Sequence, residues 1–283
     1  MTAWSAPLRA EICRTWFTRS TWGLVFAPAV VAMLRIVGGR IGETVEQAQK
    51  LAAGAAANSA DVVNGFGPLA DGMRAGAAVL ALLLLVQGAT TFVRDRDSGV
   101  LGQWYVATPR TLVVLARVIG VLSWLLPALL ALVAVAAAVA HGIYGLTDIV
   151  EEGDVMATAN ELWIDVAKGV VGVIPGLLTC AVFGIAVSAL ASSAGGAVGG
   201  TLVPFILFDV LRALLPNGAK YVFVTYVPFL GEGSTLSRLT DIARAYSDAV
   251  WNVEEFERAW TIPGAQALVL ILLTILACRV RPA

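Results

Sequence analysis

Charge is scarce in this chain. Only 14% of its 283 residues are Asp, Glu, Lys or Arg, against 58% hydrophobic, and mean hydropathy is +0.82. No soluble single domain of this length needs so much apolar surface for its core, so the composition is that of a polytopic membrane protein. Lysine is scarcer still: Lys50, Lys168 and Lys220 stand in QKL, AKG and AKY. A phosphate-binding P-loop requires Gly-Lys-Ser/Thr, so the chain does not bind ATP that way. The single histidine, His141, has no serine in a GxSxG context and no second ligand at metal spacing, which makes it a lone interfacial side chain. Cys13, Cys180 and Cys278 are far apart and show no CxxC spacing, so neither a disulfide nor a metal site is expected. With a net charge of −1 and no basic patch interleaved with aromatics, nothing marks a nucleic-acid partner. The N-terminal residues lack a compact apolar region and a small-residue cleavage site, and do not read as a signal peptide.

What is present predicts an all-α polytopic membrane protein, a single transmembrane domain over residues 1–283. Leu8, Ile12 and Trp16 fall on one helical face with Arg9 and Arg14 off it, so residues 7–19 predict an amphipathic helix in the membrane interface. Six spans follow, over about 22–37, 75–92, 111–144, 166–190, 197–215 and 262–278. Pro263 sits where a first helical turn tolerates proline and is expected to open the sixth. Two long polar segments, 38–73 and 216–261, separate the spans, and Leu236, Leu239, Ala243, Tyr246 and Val250 predict a surface helix in the second. Gly195-Gly196 and Gly199-Gly200 form overlapping GxxxG pairs, which predict tight packing of spans four and five or, alternatively, a hinge between them.

Orientation follows from arginine. Arg9, Arg14, Arg19, Arg94, Arg96, Arg110, Arg117, Arg279 and Arg281 fall on one side, in short segments or near span ends. That side is therefore expected to be cytoplasmic, with both termini on it and the two long segments outside.

The stretch that organises the chain is residues 92–111, FVRDRDSGVLGQWYVATPRT. Arg94-Asp95-Arg96-Asp97 cannot lie in hydrocarbon, where each unpaired charge costs about 2.5–3.5 kcal/mol, so span two is expected to end near Phe92. Asp97 and Ser98 stand where helix N-caps stand, and Pro109 marks a stop. Between them Val100, Leu101, Trp104 and Tyr105 give one apolar face, a short helix at the membrane surface. An ordinary loop with an interfacial helix accounts for this pattern, and so does a docking element.

The order of residues 92–101 followed by Thr108-Pro109-Arg110 resembles the first cytoplasmic loop of ABC-2 type permeases: aromatic, x, Arg-Glu-Arg, x, x, Gly-Thr-Leu, then Thr/Ser-Pro. Asp95 stands for the usual Glu, Val100 for the usual Thr, and Arg117 near a common Lys. In layout the chain is similar to the permeases of gliding-motility and nitrous-oxide-maturation systems. The resemblance implies a transmembrane permease subunit, an exporter of the prokaryotic cell membrane, whose coupling helix rests in a cleft of a cytoplasmic ATPase subunit. Its coupling residues would be Arg94, Asp95, Arg96, Asp97, Gly99, Leu101, Trp104, Thr108 and Pro109. It implies two such permease subunits, identical or related, carrying two ATPase subunits that bind ATP and Mg, with no cofactor on this chain. The long outer segments would form a cap or meet an extracytoplasmic accessory protein. Asp209 and Arg212, with Arg35 at similar depth, are the least expected charges in the apolar part of the chain: an ion pair, or a substrate contact. A secondary carrier is the other class of function, and would need inverted repeats and polar groups at midplane, for which Gln87 and Thr179 are the candidates.

Overall fold

The computed structural model describes residues 5–17, 19–52, 65–146, 148–152, 155–214, 218, 221–231 and 254–280. These form α1 (Ser5–Phe17), α2 (Arg19–Ala52), α3 (Phe66–Asp97), α4 (Val100–Ala107), α5 (Arg110–Tyr144), the strands β1 (Ile149–Glu152) and β2 (Val155–Thr158), α6 (Ala159–Leu190), α7 (Ala194–Leu214), a 3₁₀ segment (Phe223–Gly231) and α8 (Glu254–Val280). Among the described residues five helices are long and apolar enough to cross a membrane, within α2, α3, α5, α6 and α8, which is the make-up of a multi-pass membrane protein. The apolar stretch of α7, Ala194–Phe208, is shorter.

Several helices overrun the limits set by hydropathy. The helix of span one continues past residue 37 to Ala52, taking in the helical spacing of Ile41, Val45, Ala48 and Ala52, and α3 already begins at Phe66, so Asp71-Gly72 lies within a helix where the sequence suggests a turn. Span four is preceded by helical turns because Thr158 caps them: its hydroxyl accepts from the Glu161 N–H, and the Glu161 carboxylate accepts from the Thr158 N–H. Just before it, in a stretch that carries Asp148, Glu151, Glu152 and Asp154 and no basic residue, β1 and β2 pair antiparallel with Glu152 opposite Val155. Pro263 does not open α8. The helix starts at Glu254, and Pro263 lies inside it. The surface helix expected around Leu236 to Val250 lies outside the described residues.

The centre of the bundle is the pair α3 and α6. Their backbones cross at Gly88 and Gly184, where a Cβ on Gly184 would run into the Leu85 carbonyl and one on Gly88 would sit 2.6 Å from that of Ala181. Ser188, one turn further along α6, accepts from the N–H groups of Phe92 and Val93 at 2.9 and 3.3 Å. This corrects the expectation placed on the GxxxG pairs. Nothing lies within 4 Å of a Cβ on Gly195 or Gly199, and Gly200 alone of the four approaches α6, at 3.1 Å from Val187.

The 3₁₀ segment packs into this frame against α3, α6, α7 and α8. The backbone of Tyr226 lies 3.4 Å from where a Cβ on Gly176 would stand, near the midpoint of α6. A chain without i to i−4 hydrogen bonds is tolerated at that depth only when its polar groups are answered by protein. Gln266 of α8 answers the first of them, accepting from the Phe223 N–H at 3.1 Å, and also donates to the Tyr221 carbonyl just before the segment at 2.6 Å. Thr179, one of the candidates for a carrier site, instead joins α6 to α8: its hydroxyl lies 2.7 Å from the Pro175 carbonyl and 2.8 Å from that of Pro263.

Candidate functional site

The motif stretch forms one end of the bundle. α3 does not stop near Phe92 but carries the charge run to Asp97, where Gly99, at φ 72°, ends it and begins α4. That left-handed conformation suits glycine and strains any residue with a Cβ. Asp97 and Ser98 therefore do not cap α4. Ser98 closes α3, its N–H donating to the Arg94 carbonyl at 3.1 Å, and α4 starts without a side-chain cap. The apolar face of α4 turns inward: Leu101 is buried, and Trp104 and Tyr105 are half-buried against the core. Its other side carries Gln103, Val106 and Ala107, all exposed, with Asp97 and Pro109 at its two ends. Val106 is 91% exposed. Burial raises the pKa of the Tyr105 hydroxyl, and the Cys278 thiol beside it adds to the rise.

The charge run survives because its acid is paired. Asp95, 4% exposed, accepts from Arg14 Nη1 of α1 at 2.8 and 2.9 Å and from Arg117 Nη2 of α5. The Arg117 guanidinium, itself 3% exposed, lies 4.1 Å from the ring centroid of Phe92, one turn back on α3. One carboxylate thus holds three helices together, with a cation–π contact on the same side. Glu11 adds a second negative charge 3.8 Å from Arg14. Burial alone would lower the Arg14 pKa, and Glu11 and Asp95 outweigh it, so the pKa is raised and the charge is secure.

α1 is correspondingly not a helix adrift in the interface. Its buried residues are Glu11 and Thr15, seated over Gly120 of α5 at 3.1 and 3.3 Å from where a Cβ would be, whereas Leu8, Ile12 and Trp16 are half-buried. Trp16 donates to Ser123 of α5 at 3.1 Å.

Two more arginines bind helix ends. Arg96 donates to the Ala191 carbonyl at 2.6 Å, just past α6. Arg110 donates to the carbonyls of Cys278 and Arg279 at 2.5 and 3.1 Å, in the last turn of α8, and lies 4.8 Å from the Tyr105 ring.

The nine residues expected to act together therefore fall into two groups. Arg94, Asp97, Gly99 and Pro109 face outward, with Thr108 half-buried beside them. Asp95, Leu101, Arg96 and Trp104 face or touch the bundle. Arg35, of the expected intramembrane trio, forms an ion pair with Asp71 of α3, 3.7 Å away. The side chains of Asp209 and Arg212 lie outside the described residues. Sequence reasoning missed Arg14, Glu11 and the helix-end contact of Arg110. Arg117 did carry a signal, a lone charge in a long apolar run, which asks for a partner. No family model matches the chain, and no curated protein is significantly similar to it.

Proposed function

We propose that this chain is the membrane-spanning permease subunit of an ATP-driven transporter of the ABC-2 type, an exporter working as a dimer with two copies of a separate ATPase subunit. In this reading α7 completes six crossings, the end bearing α4 is cytoplasmic, and α4 is the helix that docks on the ATPase. The observation that carries it is the two-sidedness of α4, anchored through Leu101 and presenting Val106, exposed, with Gln103 and Ala107 on the same side. A short helix held to the bundle by one face, with a large apolar side chain on the other, is what a cleft on a partner accepts. ATP and Mg²⁺ belong to that partner. Closure of the ATPase pair favours one arrangement of the helices joined to α4, and substrate crosses between the two permease subunits.

The test is purification from the native host in mild detergent, wild type beside Asp97→Arg with Val106→Arg, and mass spectrometry of what comes with each. An ATPase with a Walker motif is expected with wild type and not with the variant, whose thermal stability should be unaltered because both side chains are exposed. Absence of an ATPase from both samples sinks the permease reading and leaves a secondary carrier in its place.

A further inference from the structure

Turns of two residues join α4 to its neighbours, Ser98-Gly99 on one side and Thr108-Pro109 on the other, so α4 cannot move without the end of α3 and the start of α5. Each of those helix ends carries an arginine fixed to a different helix. Arg96 holds the carbonyl of Ala191, where the backbone leaves α6 at φ −73° and ψ 148°. Only Ser192 and Ser193 then separate it from α7, so this one contact grips the elbow of two helices. Arg110 holds two carbonyls in the last turn of α8 while resting on Tyr105 of α4 itself. The carbonyls at a helix C-terminus have no partner within the helix and carry the negative end of its dipole, so a guanidinium there is held by charge as well as by hydrogen bonds. Water satisfies such carbonyls at a membrane surface equally well, so capping alone does not call for either side chain. What an arginine adds is a connection.

We propose that Arg96 and Arg110 are transmission residues: Arg96 carries a displacement of α4 to the α6–α7 elbow, and Arg110 carries it to the end of α8. This rests on α4 being the docking helix. The two routes converge, because α6 and α8 are the walls that clasp the 3₁₀ segment at mid-depth, through Gly176 against Tyr226 and Gln266 against Phe223. A push on α4 therefore acts on the least regular part of the buried backbone from both sides.

The experiment is hydrogen exchange with mass spectrometry on the permease–ATPase complex in nanodiscs, with and without ATP·Mg²⁺ and vanadate. In wild type, nucleotide should alter exchange in α4, at the α6–α7 elbow and in the last turn of α8. Arg96→Gln should lose the response at the elbow alone, Arg110→Gln the response at α8 alone, and both should keep the response in α4. A merely structural role does not predict that selectivity. If a Gln variant fails to assemble, the Lys variant replaces it, since an ammonium on a flexible stem lacks the planar fork and transmits less. Responses that persist at both sites in both variants, or vanish together in either one, overturn the proposal. Wild-type complex whose α4 is indifferent to nucleotide overturns the docking reading, and the transmission role with it.

Discussion

Replacing Asp95 by Asn keeps its shape and removes its charge, which leaves the Arg117 guanidinium buried beside an uncharged amide. Removing one partner of a buried ion pair costs about 3–5 kcal/mol, far more than the net worth of the pair. Thermal unfolding in detergent should show a large loss for Asp95→Asn and partial recovery when Arg14→Gln and Arg117→Met are added. Strict additivity of the three substitutions would mean that the charges do not interact. At Gly99 the space around a Cβ is open, so only the backbone conformation resists substitution. Gly99→Val should therefore cost about 1–2 kcal/mol, with little change for Gly102→Ala, where the space is also open. Equal losses at both positions would show that the left-handed turn is not what matters.

Between elements, the crossing of α3 and α6 makes the sharpest forecast. A Cβ on Gly184 meets backbone, which cannot rotate away, and a Cβ on Gly195 or Gly199 meets nothing. Gly184→Leu and Gly88→Leu should abolish monodisperse protein on size exclusion. Gly195→Ala and Gly199→Ala should leave it intact, and the opposite pattern would move the tight crossing to the GxxxG pairs. The signal for Gly184 was in the sequence as a ridge of small residues every fourth position, Gly172, Gly176, Cys180, Gly184 and Ser188. Gly172 and Gly176 open it as a GxxxG pair, but Gly184 is the quieter part because cysteine and serine flank it at that spacing. Its two ends serve different partners: Gly176 admits the 3₁₀ segment and Gly184 admits α3. A motif records that a backbone can be approached, and which backbone approaches depends on where the chain returns.

For the whole molecule the decisive property is orientation. Cys180 and Cys278 are buried and Cys13 is exposed, so a Cys13→Ser background leaves no thiol free to react from solution. In it, Gln103→Cys should take a membrane-impermeant maleimide only in inverted vesicles, and Asp148→Cys only in intact cells. Labelling of both from one side would refute the arginine-based topology. The outward faces of α7 and α8 carry Val203, Ile206, Leu207 and Val210, and Leu268, Val269, Leu272 and Leu273. Apolar patches of that extent suit hydrocarbon or a second subunit and would be a liability in water.

Composition determined the class of this protein, because the cost of putting charge in hydrocarbon is paid residue by residue and needs no knowledge of neighbours. The same local chemistry made the short helix after the charge run and its apolar face on Leu101 legible. It could not say that α3 runs through Asp95 to Asp97, because a charge run reads as a span end unless its partners are known, and Arg14 and Arg117 lie 81 and 22 residues away along the chain. Nor could it foresee that Arg96 and Arg110 end on the carbonyls of α6 and α8, since every helix end offers such carbonyls and the sequence does not say which lies within reach. Those choices belong to the tertiary structure: a guanidinium is committed to one partner only when packing has brought two helix ends to within 3 Å of it.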